Sequence, residues 1–104
     1  MPSRNGKMTR ETKLVERVLR ENFPDYPKDY PPIAYRYNPS SIRVRLVHKS
    51  FKGKSLSERD DMVLPVIETL PEKIQADIYI LLLLSPDEAK RSVGYEEFEM
   101  AIRS

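Results

Sequence analysis

The stretch HKSFKGKSLSERDDMV, residues 48–63, decides how this chain is put together. It follows an alternating segment, SIRVRLV (41–47), and leads into a run with helical spacing. A single glycine, Gly53, sits among Lys49, Lys52 and Lys54. Glycine permits a tight turn at positive φ. Ser55, followed three residues later by Glu58, is the capping box that opens a helix. Met62, Val63, Val66, Ile67 and Leu70 supply that helix with an apolar side. Phe51 is placed to tuck under the loop as a plug of core. Arg59, in the first helical turn, can reach a carboxylate or the loop carbonyls. The stretch is therefore a join between strand and helix. A second use is open to it: the three lysines and the N–H groups of a helix start suit a phosphate. Against that use, Glu58, Asp60 and Asp61 already place negative charge in the first turn.

Working outward, IAYRY (33–37) and SIRVRLV flank NPS (38–40) and predict an antiparallel hairpin. Ile42, Val44 and Leu46 share one face; Arg43 and Arg45 share the other, where Arg36 can join them. Downstream, ADIYILLLL (76–84) reads as a buried strand. Alternation sets Ile78, Ile80, Leu82 and Leu84 on one side and Tyr79, Leu81 and Leu83 on the other. The second set is expected on the open face of the sheet, under the C-terminal segment, the proline–tyrosine connector or another protein. Between the strands, Pro65 is expected to kink the helix or break its hydrogen-bond ladder, and Pro71 to begin a separate short turn. Pro86, Asp87 and Glu88 start a last helix, with Tyr95, Phe98 and Ile102 along its face.

Upstream, Thr9 caps a helix over roughly residues 10–22. Leu14, Val15, Val18, Leu19 and Phe23 form its apolar stripe. Arg10, Lys13, Arg17 and Arg20 form a second, basic stripe. Glu16–Arg20 and Arg17–Glu21 are i,i+4 pairs, so ordinary surface pairing accounts for much of it. FPDYPKDYPP (23–32) forbids regular structure and reads as a stiff connector, its Tyr26 and Tyr30 lying against the core or, in the other reading, offered as a proline-rich ligand. Residues 1–8 form a polar, frayed tail, and residues 9–104 a single domain. The order is α-β-β-α-(short α)-β-α. A right-handed crossover sets the third strand parallel to the second, giving an α+β fold with a three-stranded mixed sheet and helices packed on one face.

Composition narrows the function classes. Charged residues make up 33% of the chain, which calls for a wide solvated surface and no membrane partner. The chain lacks cysteine, which excludes disulfides and thiolate sites and fits a cytoplasmic protein. Residues 1–56 carry a net charge of +8 and residues 57–104 a net of −6. Either the basic half faces an anionic partner or the two halves pair their charges in the fold. Adjacent Asp60 and Asp61 diverge by about 100° on a helix and cannot easily converge on one metal or substrate atom. The sequence offers no set of nucleophile, base and orienting group, so no enzymatic activity is expected.

The order of elements and the join resemble the BolA family. Its most recognisable segment is a strand leading to Phe-x-Gly-x-Ser, three further residues, Arg-His and a helix. Here Phe51, Gly53 and Ser55 hold the three motif positions, Arg59 holds the arginine and Val63 continues the helix. LLLLSPDE (81–88) is similar to the Thr-Pro-Glu-Glu that closes the family's last strand. The resemblance covers roughly residues 10–90. It implies a regulatory or protein-interaction module. In the family, the histidine after the arginine helps hold an iron–sulfur cluster shared with a monothiol glutaredoxin. A second histidine or cysteine often comes from a longer loop between the first two strands. Here Asp60 stands at the histidine position, the loop is only NPSS (38–41), and His48, the sole histidine, matches neither ligand. Iron–sulfur clusters call for thiolate or imidazole. The resemblance therefore implies a BolA-like scaffold with no cofactor of its own and another protein as partner, a glutaredoxin-type partner being disfavoured. The topology also resembles the class II KH fold, which binds single-stranded nucleic acid through a Gly-x-x-Gly loop between two helices. The corresponding join here is acidic, ETLPEK (68–73). A nucleic-acid module would instead draw on Arg10, Lys13, Arg17, Arg20, Arg36, Arg43, Arg45, Lys49, Lys52 and Lys54.

Overall fold

A computed structural model describes residues 7–91 of the chain. Two capping boxes set its main helices. Thr9 accepts from the backbone N–H of Thr12, and the Thr12 hydroxyl accepts in return from the N–H of Thr9, which opens α1 (Arg10–Asn22). Ser55 and Glu58 do the same for α2 (Leu56–Ile67). The hairpin is β1 (Ile33–Asn38) and β2 (Ser41–Val47), and a 3₁₀ turn, Lys49–Phe51, leads on from it. A short helix, α3 (Glu72–Asp77), precedes β3 (Ile78–Leu84), and α4 (Pro86–Arg91) follows. The expected positions Tyr95, Phe98 and Ile102 lie outside the described residues.

The sheet order is β1-β2-β3, with β1 antiparallel and β3 parallel to the central β2. This is the expected α+β fold with its mixed sheet. Ile42, Val44 and Leu46 of β2 meet Val15 and Leu19 of α1, Val63 and Ile67 of α2 and Ile74 of α3 in the main core. Each fully buried aliphatic side chain of this kind contributes about 1.5–3 kcal/mol.

The third strand departs from simple alternation. Ile42 pairs with Ile78 but Arg43 pairs with Ile80, so Tyr79 is bulged out of the ladder. One extra residue resets which face every later side chain takes. Ile78, Leu81 and Leu83 therefore turn to the helix-packed core, while Tyr79 stands 73% exposed. The expectation that Leu81 and Leu83 would lie on the open face is corrected by this bulge. Leu82 and Leu84 take that other face, where they meet Ile33, Tyr35 and Val47. The strand is half-buried along most of its length, and Ala76 and Asp77, read from sequence as strand, close α3 instead.

Pro65 removes one rung of the hydrogen-bond ladder, as expected, and α2 continues through it to Ile67, the carbonyl left over belonging to solvent-exposed Asp61. Two further expectations need correction. Lys7, placed with the frayed tail, exchanges two backbone hydrogen bonds with Arg36, at 3.2 and 2.8 Å, along the outer edge of β1. Arg36 pairs with Ile42, so it faces the helices and not the side of Arg43 and Arg45; its guanidinium meets Asp77 at 3.1 Å. The connector does cover part of the second face: Tyr30 packs against Val47, Leu84 and Ala89, and the Pro31 carbonyl accepts from Arg45.

Gly53 adopts φ +76°, and a Cβ built there meets no atom within 4 Å. Replacement by alanine thus incurs only the left-handed backbone cost, about 1 kcal/mol, with asparagine costing less. Urea unfolding of Gly53→Ala and Gly53→Asn measures this; equal midpoints for Gly53→Ala and the parent would show that the turn does not need its glycine.

Candidate functional site

The join between β2 and α2 is spent on architecture. Phe51 is fully buried and forms an aromatic cluster with Phe23 and His48. Arg59 is 5% exposed, and its guanidinium binds three groups. Nε donates to the Lys54 carbonyl at 3.0 Å, and Nη1 donates to the Leu83 carbonyl at 2.9 Å. Nη1 and Nη2 form a two-point bridge with the Glu88 carboxylate, at 2.6 and 3.2 Å. Glu88 is also the carboxylate of a third capping box: it accepts from the Ser85 N–H, and the Ser85 hydroxyl accepts from the Glu88 N–H. Sequence reasoning missed Glu88 as the partner of Arg59. The available signal was Ser85-Pro-Asp-Glu88, a capping box in its own right.

His48 is buried. Its Nδ1 accepts from the Ser50 N–H at 3.2 Å and lies 2.7 Å from the Ser50 hydroxyl. Its Nε2 lies 2.7 Å from the Pro24 carbonyl, an acceptor, so that nitrogen carries the proton. Both nitrogens are thus engaged in pinning the connector to the loop. Asp25, next along the connector, takes a left-handed conformation at φ 68°. Among the described residues, no group of three or more His, Cys, Asp or Glu could hold a metal ion.

Asp60 projects from the exposed side of α2. It lines a shallow groove with Leu64, Ile67, Gln75, Tyr79 and Leu81. Leu56 and Leu64 stand four residues either side of it on the same helix face, 74% and 42% exposed. This apolar border around Asp60 depends on Tyr79 leaving the ladder, which alternation does not disclose.

The ten basic positions do not form one surface. Arg36 is tied to Asp77, Arg45 is fully buried, and Arg43 stacks on the Tyr37 ring at 3.8 Å. Lys49, Lys52 and Lys54 are exposed on the loop. Glu58 supplies the carboxylate at the start of α2, its pKa held below the usual range by the hydrogen bond from the Ser55 N–H. The α1 stripe is different. Arg10, Lys13, Arg17 and Arg20 are exposed and line one groove of about 880 Å³, with Leu14 and Ile74 among its walls. Among the described residues none of these four forms an ion pair. Glu16 turns to β1 and accepts the Ala34 N–H at 2.9 Å, so the expected Glu16–Arg20 pair is not a direct salt bridge but an interaction through space. Burial pushes the Glu16 carboxyl above its ordinary pKa, an effect the Ala34 hydrogen bond partly offsets.

No family model matches the chain, and no curated protein or solved structure matches it. Among the described residues no helix is long and apolar enough to cross a membrane.

Two outcomes follow from the Arg59 tie. Arg59→Ala leaves the Leu83 carbonyl and Glu88 without their cation and should cost about 3–4 kcal/mol in urea unfolding. Arg59→Lys should recover little, since an ammonium cannot make the two-point bridge. The hydrogen bonds from Arg59, then that from Ser85, lower the Glu88 pKa to about 2. A depressed carboxylate stabilises the fold above its unfolded pKa, near 4.3, and loses that contribution as pH falls through the folded value. Stability should therefore fall between about pH 5 and 2, by about 1 kcal/mol after allowance for the 38% exposure of Glu88. Glu88→Gln should flatten that fall; an unaltered slope would assign the acid sensitivity to other groups.

Proposed function

We propose that the chain is a non-catalytic, BolA-like regulatory or protein-interaction module that holds no iron–sulfur cluster with its own side chains. The observation that carries this reading is the setting of Asp60. It stands where the family places its histidine, on an exposed helix face bordered by Leu56, Leu64 and Tyr79. A carboxylate is a hard donor and a poor substitute for imidazole on iron–sulfur clusters. Exposed apolar side chains grouped in this way suit contact with another protein. The engagement of both His48 nitrogens supports the same reading, since the one imidazole is committed to the connector.

Mixing the protein with a cluster-loaded monothiol glutaredoxin should give no new iron–sulfur absorbance or circular dichroism. Asp60→His alone should restore little, because the loop between β1 and β2 supplies no second ligand. A cluster formed by the parent protein and lost in His48→Ala would overturn the reading. Partner capture from the source cells should fall in Leu64→Glu if the Asp60 face is the contact surface, and persist if it is not.

A second reading, nucleic-acid binding, is favoured by one observation: four cations with no ion pair among the described residues line the α1 groove. NMR titration with short DNA and RNA at two salt concentrations separates the two readings. Salt-dependent shifts on Arg10, Lys13, Arg17 and Arg20 support the second. The absence of shifts leaves the first.

A further inference from the structure

We propose that the α1 groove is a sequence-independent docking site for the phosphate backbone of double-stranded nucleic acid. This rests on the second reading above and gives it a site and a form of ligand. Arg10 to Arg20 spans ten residues of helix, about 15 Å. One strand of a duplex presents a phosphate about every 3.4 Å along its axis. The stripe thus carries four cations over about four phosphate steps.

Among the described residues the four cations have no direct ion pair, and Glu16, turned to the Ala34 N–H, acts on Lys13 and Arg20 only through space. Among the described residues Glu11 is the one acid in the lining, which leaves those residues a net charge of +3. Leu14 and Ile74 offer apolar surface on which the long stems can lie while the charged heads stay at the rim. Among the described residues these cations have no salt bridge to give up on meeting phosphate, and binding releases counterions from the nucleic acid. Three of the four are arginines, whose planar forks suit phosphate oxygens.

The lining also bears on the kind of anionic partner. Among the described residues it contains no aromatic ring, whereas single-strand sites draw on base stacking. Among the same residues it contains no Asn or Gln to read adenine edges, so the contact is to the backbone. Protein contacts favour aromatic anchors and shed charge at their centre, the reverse of this groove.

Fluorescence anisotropy of the full chain tests the proposal. The probes are a short labelled duplex, the matching single strand and a labelled poly-glutamate peptide, between about 50 and 200 mM salt. The duplex should bind with log K falling against log salt at a slope of about −3.6, the value for four phosphate contacts. Lys13→Gln and Arg17→Gln should each reduce that slope by about 0.9, with thermal midpoints unchanged because both side chains are exposed. A triple Lys49→Gln, Lys52→Gln, Lys54→Gln variant should leave the slope as it is. Tighter binding of the single strand overturns the duplex form but not the nucleic-acid reading. Failure to bind either strand form overturns both. Poly-glutamate bound with the same slope replaces nucleic acid by an acidic protein segment. A slope that responds to the loop variant and not to the groove variants overturns the site.

Discussion

The structure depends on one guanidinium. Arg59 holds the loop at the Lys54 carbonyl, the end of β3 at the Leu83 carbonyl and the start of α4 through Glu88. These contacts join the helix start to segments 24 and 29 residues away in sequence. A buried arginine is tolerated only when its donors are met, and the loop, strand and helix meet them from three directions. Gly53 turns the chain so that the Lys54 carbonyl can accept, and Ser55 sets α2 so that Arg59 points inward. The segment carrying Phe51, Gly53, Ser55 and Arg59 is thus a single mechanical unit. Each of its residues has a structural task that makes no demand on a ligand.

A second constraint lies on α1, whose faces do opposite work. Val15 and Leu19 are fully buried against the sheet. Glu16 reaches β1 from the margin of that apolar face and fastens the helix to the Ala34 amide. This hydrogen bond keeps the carboxylate out of direct contact with the cationic stripe, although its charge still acts on Arg20 and Lys13. The packing of α1 and the charge of its outer groove are therefore consequences of one side-chain choice.

Among the described residues two surfaces stand apart from the architecture, and α3 separates them. Ile74 lines the basic groove on α1, while Gln75, its neighbour, lines the groove around Asp60. One surface is cationic with an apolar wall; the other is apolar with a carboxylate at its centre. They suit partners of different chemistry.

The sequence by itself determined whatever is decided between near neighbours. Thr9 with Thr12 and Ser55 with Glu58 act three residues apart, so both helix starts were legible. So were the hairpin, the Gly53 turn, the burial of Phe51 and the two stripes of α1, because periodicity reports which face a residue takes. Only the tertiary structure decided the faces of β3, since a bulge at Tyr79 shifts the parity that alternation assumes. It also decided that Arg36 meets Asp77, that Arg45 is sealed beneath the connector, that His48 is buried on the Pro24 carbonyl and that Glu88 answers Arg59. Each of these rests on a partner 14 to 41 residues distant. No local pattern encodes such a meeting; it exists only once the sheet and helices have been packed together.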